Sequence, residues 1–279
     1  MIYIKTAEEL EKMRAAGTLV SRTLGEVAKH VAPGVTTRRL DDIARQFILD
    51  NGGLPTCLGY QGFPGTLCIE VNETVVHGFP SDYELREGDI VGTDCVVTLD
   101  GYHGDSCYTF AVGEVDPKWA KLLEITKASL YKGIAQAKAG NRIGHIAHAV
   151  QQHCERAGYS VVREMCGHGI GRSMHEAPEV PNYGRPGVGP LLKDGMCICI
   201  EPMINLGSKN IVIGQDGWQC RTRDRKPSAH YEHTLAIRGD RPEILTTFSY
   251  IEEALGILPS REETAWAEAG KQTQEENND

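Results

Sequence analysis

The sequence predicts an α+β domain in which antiparallel sheet carries helices on its outer side. Three observations predict it: two stretches about a hundred residues apart repeat one another, helical periodicity precedes strand chemistry in each, and an Asp-Gly pair joins two β-rich runs in the first. The repeat is most explicit where Leu85-Arg-Glu-Gly-Asp-Ile-Val-Gly-Thr-Asp94 aligns, 107 residues on, with Leu192-Lys-Asp-Gly-Met-Cys-Ile-Cys-Ile-Glu201. Both read leucine, base, acid, glycine, five residues, carboxylate. Upstream, Gly34 to Gly52 and Gly140 to Gly158 bracket amphipathic stretches at an offset of 106, with Leu40, Ile43 and Phe47 in one and Ile146, Val150 and Cys154 in the other. Self-similarity at a fixed offset is the mark of a duplicated unit.

Each unit opens on a helix-period pattern, over 7–31 in the first and 117–139 in the second, and continues with the bracketed second helix. Strands follow. Residues 89–99 and 104–112 are β-rich and meet through Asp100-Gly101, a strong hairpin signal. Their counterparts in the second unit are 196–204 and 232–237. Beyond Leu258 the chain holds six acids against two bases and almost nothing to bury, which predicts a folded body over 1–258 and an acidic, disordered tail over 259–279.

The 279 residues suffice for a sizeable core, and 41% hydrophobic with 24% charged residues is an ordinary globular composition. The formal charge of −9 argues against a broad nucleic-acid-binding face, which needs a Lys/Arg excess. The longest stretch without a charge, Asn51 to Ile69, carries five glycines and two prolines, so no transmembrane helix is expected. Acidic residues follow the first few positions where a signal peptide would be basic and then apolar. Nine cysteines without a CxxC pair fit free thiols in a reducing cytoplasm.

Four carboxylates carry the chemistry. Asp94 leaves the backbone among β-branched neighbours that signal burial, and a lone buried carboxylate is costly. Asp105 lies eleven residues on, so a hairpin about Asp100-Gly101 brings the two together. Glu201 occupies the repeat-equivalent place of Asp94, and Glu232 begins the next strand. Any one of them alone reads best as a satisfied polar residue or a rim charge. Four converging would cost several kcal/mol of desolvation unless metal ions or protons neutralised them, so a metal centre is expected. Among the ten histidines His168, in Cys-Gly-His-Gly-Ile-Gly171, is the most suggestive, because flanking glycines permit close backbone approach. His77 and His175 sit in comparably tight sequence, whereas His145, His148 and His153 read as helix surface, and Cys197-Ile-Cys199 as core packing in a strand.

These residues resemble type I methionine aminopeptidases of the short bacterial form. The resemblance rests on Asp94 and Asp105, His168 in its glycine run, Glu201 in Ile-Glu-Pro-Met and Glu232 in Tyr-Glu-His-Thr, with Cys57-Leu-Gly-Tyr60, Val-His77-Gly and Asp216-Gly-Trp218 beside them. It covers about Thr6 to Leu245. It implies the pita-bread fold, two pseudo-symmetric halves with a curved antiparallel sheet, and a metallopeptidase body over 1–258. It also implies a centre of two divalent metal ions held by Asp94, Asp105, His168, Glu201 and Glu232. On this resemblance Asp105 and Glu232 bridge the metals, Glu201 also shuttles a proton, and His77 and His175 are catalytic groups at the scissile amide. Cys57, Tyr60, Phe63, Cys68, Met174 and Trp218 then surround the substrate's first side chain, and His77 and His175 bind the substrate at its amide. Two positions depart from the pattern: Met174 stands where an aromatic residue is common, and Val96 where a threonine is expected.

The implied activity is removal of the initiator methionine from nascent chains when the second residue is small, by a metal-activated water, in the cytoplasm and as a monomer. One nitrogen and four carboxylates suit Mn, Fe or Co, with Zn also able to bind. Arg221, Arg223, Arg225 and Lys226 read either as a solvated loop or as a contact to ribosomal RNA. A proline-directed aminopeptidase of the same fold, a metal-dependent phosphoesterase and a non-enzymatic binding protein are the competing classes.

Overall fold

The computed structural model describes residues 1–259 together with Thr264 and Trp266. The tail expected over 259–279 therefore lies almost wholly outside the described residues. Helix α1 (Ala7–Ala28) starts at Thr6, whose Oγ1 accepts from the Glu9 amide at 3.2 Å while the Thr6 amide donates to Glu9 Oε2 at 2.9 Å. This reciprocal cap satisfies two of the orphan amides of a helix start. Helix α2 (Thr37–Asp50) follows, and then the sheet of the first half.

That sheet is built on the hairpin of Ile90–Leu99 with Tyr102–Ala111. Asp100 and Gly101 both have positive φ, 50° and 77°, the backbone that a two-residue hairpin turn requires. Because the turn takes only two residues, the return strand begins at Tyr102, two residues before the 104 expected from the sequence. Strand Leu67–Val71 pairs with the other side of Ile90–Leu99. The second half repeats the plan. Helix α3 (Pro117–Ile134) is capped by Asp116, α4 (Ile143–Arg156) packs on α3, and Cys197–Ile200 pairs with His233–Ala236 and with Gly167–Gly169. Every paired strand is antiparallel. Helix α5 (Ser249–Leu255) returns to α1.

The halves meet edge to edge between Tyr102–Ala111 and the 228–236 segment. Asp105 N donates to Thr234 Oγ1, which donates back to the Asp105 carbonyl, and Ser106 Oγ donates to the Glu232 carbonyl. The Glu232 amide donates to the Cys107 carbonyl at 2.9 Å. One apolar core runs under both halves, from Leu24 and Ile90 to Ile198 and Ile237. No helix among the described residues is long and apolar enough to cross a membrane.

Candidate metal centre

The hairpin register decides where the first two acids go. Asp94 faces Cys107 and Asp105 faces Val96, so the aspartates are diagonal neighbours on one face of the sheet. Glu201 follows the last residue of strand Cys197–Ile200 and Glu232 precedes the first of His233–Ala236, and Ile200 pairs with His233. The second hairpin therefore delivers its carboxylates at the open end of its ladder, across the seam from the first pair.

His168 comes from the short strand Gly167–Gly169, and its glycines are needed for contact. A Cβ on Gly167 would lie 2.4 Å from the Cys199 carbonyl oxygen, and one on Gly169 2.3 Å from that of Ala177. The ring is set by its Nδ1, which donates to the Gly169 carbonyl at 2.9 Å, so Nε2 is left with a free lone pair. That atom lies 3.7 Å from Asp105 Oδ2 and 3.6 Å from Glu201 Oε1. A ring oriented by a backbone acceptor and presenting the other nitrogen is how histidine is prepared to bind metal.

Asp94 Oδ1, Asp105 Oδ1 and Glu232 Oε1 are buried without a hydrogen-bond partner. Each such oxygen costs roughly 1–3 kcal/mol or more if nothing compensates it. Ligand atoms of Asp105, His168, Cys199 and Glu232 lie within 4.8 Å of one another. Orphaned oxygens and a bare imidazole nitrogen around one point are what divalent cations satisfy, so the donor set fits such a metal. Burial and then the Glu232 charge push the Asp105 carboxyl well above its usual range, and burial with Asp105 does the same to Glu201. Glu232 is raised by burial and then by Glu201. Burial, with His175 beside it, holds His168 down to about 4, so it stays neutral and able to ligate.

Cys197 and Cys199 are core residues, as their alternation with isoleucine suggests, yet Cys199 also floors the centre. Burial and the Glu232 charge push its thiol well above the usual value, so it remains protonated.

Every residue expected at the site lines one cavity of about 550 Å3. Cys57, Phe63, Cys68, Val96 and Met174 form a continuous apolar patch, with Phe79 and Trp218 packed against it. Met174 and Val96 thus keep that wall apolar despite their departure from the expected residue types. Trp218 stands edge-on to Phe63 at 5.2 Å and to His77 at 5.8 Å, and Tyr60, about one-third exposed, stands at the mouth. His77 holds φ at 59°, an uncommon backbone for a non-glycine residue. His175 packs edge-on to His168 at 4.5 Å. Burial lowers both His77 and His175, so each is neutral near pH 7.

Sequence reasoning overlooked two groups. His230 lines the same cavity, and its Nδ1 lies 3.2 Å from both carboxylate oxygens of Glu70. Burial raises Glu70 to about 7; burial alone would lower His230, but Glu70 and Asp94 together hold it above its usual value. A lone acid within Leu-Cys-Ile-Glu70-Val is the same signal that singles out Asp94.

The raised carboxyls make the metal-free protein pH-sensitive. A folded-state pKa above the unfolded value means that the fold binds more protons than the unfolded chain. Its contribution is therefore complete below about pH 4 and is lost as pH rises. Above about pH 6.5, where the lowered His77, His168 and His175 are neutral in the fold and largely neutral in the unfolded chain, chelator-treated protein should melt at progressively lower temperature up to about pH 8, and added Mn2+ should raise the melting temperature more at the upper end, because its binding displaces protons. A metal-free melting temperature that climbs over that range would contradict this electrostatic account.

The sequence pattern of metallopeptidase family M24 matches residues 11–239. The methionine aminopeptidase of Clostridium perfringens is 50% identical over 246 residues, covering 88% of this chain and 99% of that protein. Methionine aminopeptidase 1 of Bacillus subtilis is 48% identical over the same length. The crystal structure of methionine aminopeptidase from Rickettsia prowazekii superimposes with a TM-score of 0.87 at 43% identity, over 88% of this chain and all of that one.

Proposed function

The chain belongs to metallopeptidase family M24 and is a metal-dependent hydrolase that releases N-terminal methionine, and we propose that it does so with two divalent cations, when the second residue is small. The observation that carries this reading is the convergence of Asp94, Asp105, His168, Glu201 and Glu232, from both halves, on the floor of an apolar cavity. Asp94 would hold one cation, His168 and Glu201 the other, with Asp105 and Glu232 shared between them. Such a pair supplies a water acidic enough to attack at neutral pH and an electrophile for the amide carbonyl. An oxygen- and imidazole-rich set suits Mn, Fe or Co, and Zn could also enter.

The chain's own residues do the rest. Glu201 is the one ligand whose two oxygens face different rings, His168 at 3.6 Å and His230 at 3.8 Å. We assign it to take the proton from the attacking water and deliver it to the leaving amine. His77 and His175, both neutral and lining the cavity, would donate hydrogen bonds to the scissile amide. Cys57, Phe63, Cys68, Met174 and Trp218 receive the first side chain, a soft, polarizable lining suited to an unbranched thioether. A peptide series varying only the first two residues tests the reading. Met-Gly, Met-Ala, Met-Ser and Met-Pro should be cleaved, and Met-Lys and Met-Phe scarcely at all, with norleucine in place of methionine costing about 1–3 kcal/mol. Equal turnover of Met-Lys and Met-Ala would point to a broader aminopeptidase, and release of other residues before proline to a proline-directed one.

Action as a monomer would give a solution mass near 30.6 kDa. A cytoplasmic setting fits nine free thiols and nascent-chain substrates. Ribosome docking would draw mainly on Arg223 and Lys226, since Arg225 pairs with Glu73 at 3.2 Å and Arg221 donates to Gln219. Reversing the charge of Arg223 and Lys226 should weaken salt-sensitive ribosome binding and spare peptide hydrolysis; unchanged ribosome affinity would refute it.

A further inference from the structure

We propose that His230, held by Glu70, is a positioning residue for Glu201, fixing one oxygen of that carboxylate so that the other faces His168. The inference rests on the proposed role of Glu201 as proton carrier. Its basis is a built, buried arrangement beside the centre that the five expected ligands do not require. Glu70 is only 3% exposed in strand Leu67–Val71, and its strand partner is Gly92. A Cβ on Gly92 would lie 2.4 Å from Glu70 Oε2, so the sheet keeps that position empty for the carboxylate. Cys107 Sγ donates weakly to the same oxygen at 3.8 Å.

His230 is fixed at three points. Its amide donates to Thr109 Oγ1 at 3.0 Å, its carbonyl accepts from that hydroxyl at 2.7 Å, and its Nδ1 donates to Glu70. Two rigid anchors and a buried anion leave Nε2 one direction to face. It is buried, has no hydrogen-bond partner, and lies 3.8 Å from Glu201 Oε2. Glu201 Oε1 lies 3.6 Å from His168 Nε2, so the two imidazoles bracket one carboxylate. A glutamate has three rotatable side-chain bonds, and a group that must both ligate and carry a proton works only when its oxygens are held to within about 0.5 Å. Loss of such support can cost about 10²-fold in rate without touching the reacting atoms.

The test compares kcat, KM, bound Mn2+ per chain and the Mn2+ dissociation constant for the parent, His230→Ala, His230→Gln and Glu70→Gln, on a Met-Ala-Ser peptide. His230→Ala should lower kcat about 10- to 10²-fold, with KM within about threefold and Mn2+ stoichiometry unchanged. Glutamine places an amide nitrogen near the Nε2 position, so His230→Gln should recover most of the rate. Glu70→Gln leaves the ring but loosens it and should show a smaller loss confined to kcat. Parent-like kcat in His230→Ala, a loss lying wholly in KM or in bound metal, or no recovery with glutamine would overturn the proposal. Should His230→Ala fail to fold, Glu70→Gln decides alone: a parent-like kcat there overturns it. A parent that releases no methionine would remove the functional reading itself, whereas an active parent with unaffected variants removes only this inference.

Discussion

Asp105→Asn or Glu232→Gln is expected to abolish methionine release, to below about 1% of the parent, with metal content reduced and the fold intact. Both replacements keep side-chain volume, so no cavity opens beneath the centre. Each removes one of several carboxyls that repel one another where water cannot screen them, as the raised Asp105 and Glu232 ionisations report. The metal-free variants should therefore melt no lower than the metal-free parent. The gain in melting temperature on adding Mn2+ should shrink, because the shared donor is gone. Full activity with parent-like metal content in either variant would remove Asp105 and Glu232 from the centre.

His175→Ala and His77→Ala should lower the catalytic rate about 10²- to 10⁴-fold while bound metal stays at the parent level. Both rings lie in the cavity, but it is His168 whose Nε2 lies 3.7 Å from Asp105 Oδ2 and 3.6 Å from Glu201 Oε1. His175 packs against the His168 ring edge-on, and His77 stands against Trp218. The two variants should separate in stability. His77 already holds a left-handed backbone, which alanine tolerates less well than histidine, so His77→Ala should lose about 1 kcal/mol that His175→Ala does not. Loss of metal in His175→Ala would place that ring in the coordination shell.

The first half of the centre was legible because the Asp-Gly turn is short and its register unambiguous: once Leu99 faces Tyr102, Asp94 and Asp105 share a face. The second pair was legible because Glu201 repeats the place of Asp94, although its hairpin is interrupted and Pro202 ends the strand at Ile200. His168 was visible only as a histidine among glycines, since the reason for them, a Cβ on Gly167 meeting the Cys199 carbonyl at 2.4 Å and one on Gly169 meeting that of Ala177 at 2.3 Å, lies in other strands. Helix ends ran short of the sequence reading: α1 stops at Ala28 instead of 31 as the chain approaches Pro33-Gly34, and α3 at Ile134 instead of 139, where Ala139 turns to bond the Gly239 carbonyl. The Glu70–His230 pair joins residues 160 positions apart, a separation that no periodicity can report.

The division of donors between the halves also has a meaning in time. Asp94 and Asp105 are synthesised first, His168 and Glu201 later, and Glu232 last, when most of the 279 residues are already joined. A polypeptide halted between the halves would own two carboxylates and no imidazole of the proposed set, and is expected to hold a cation far less tightly than the whole chain. On the proposed set, competence would come only once Glu232 has joined the chain, and truncated products would be expected to be inactive.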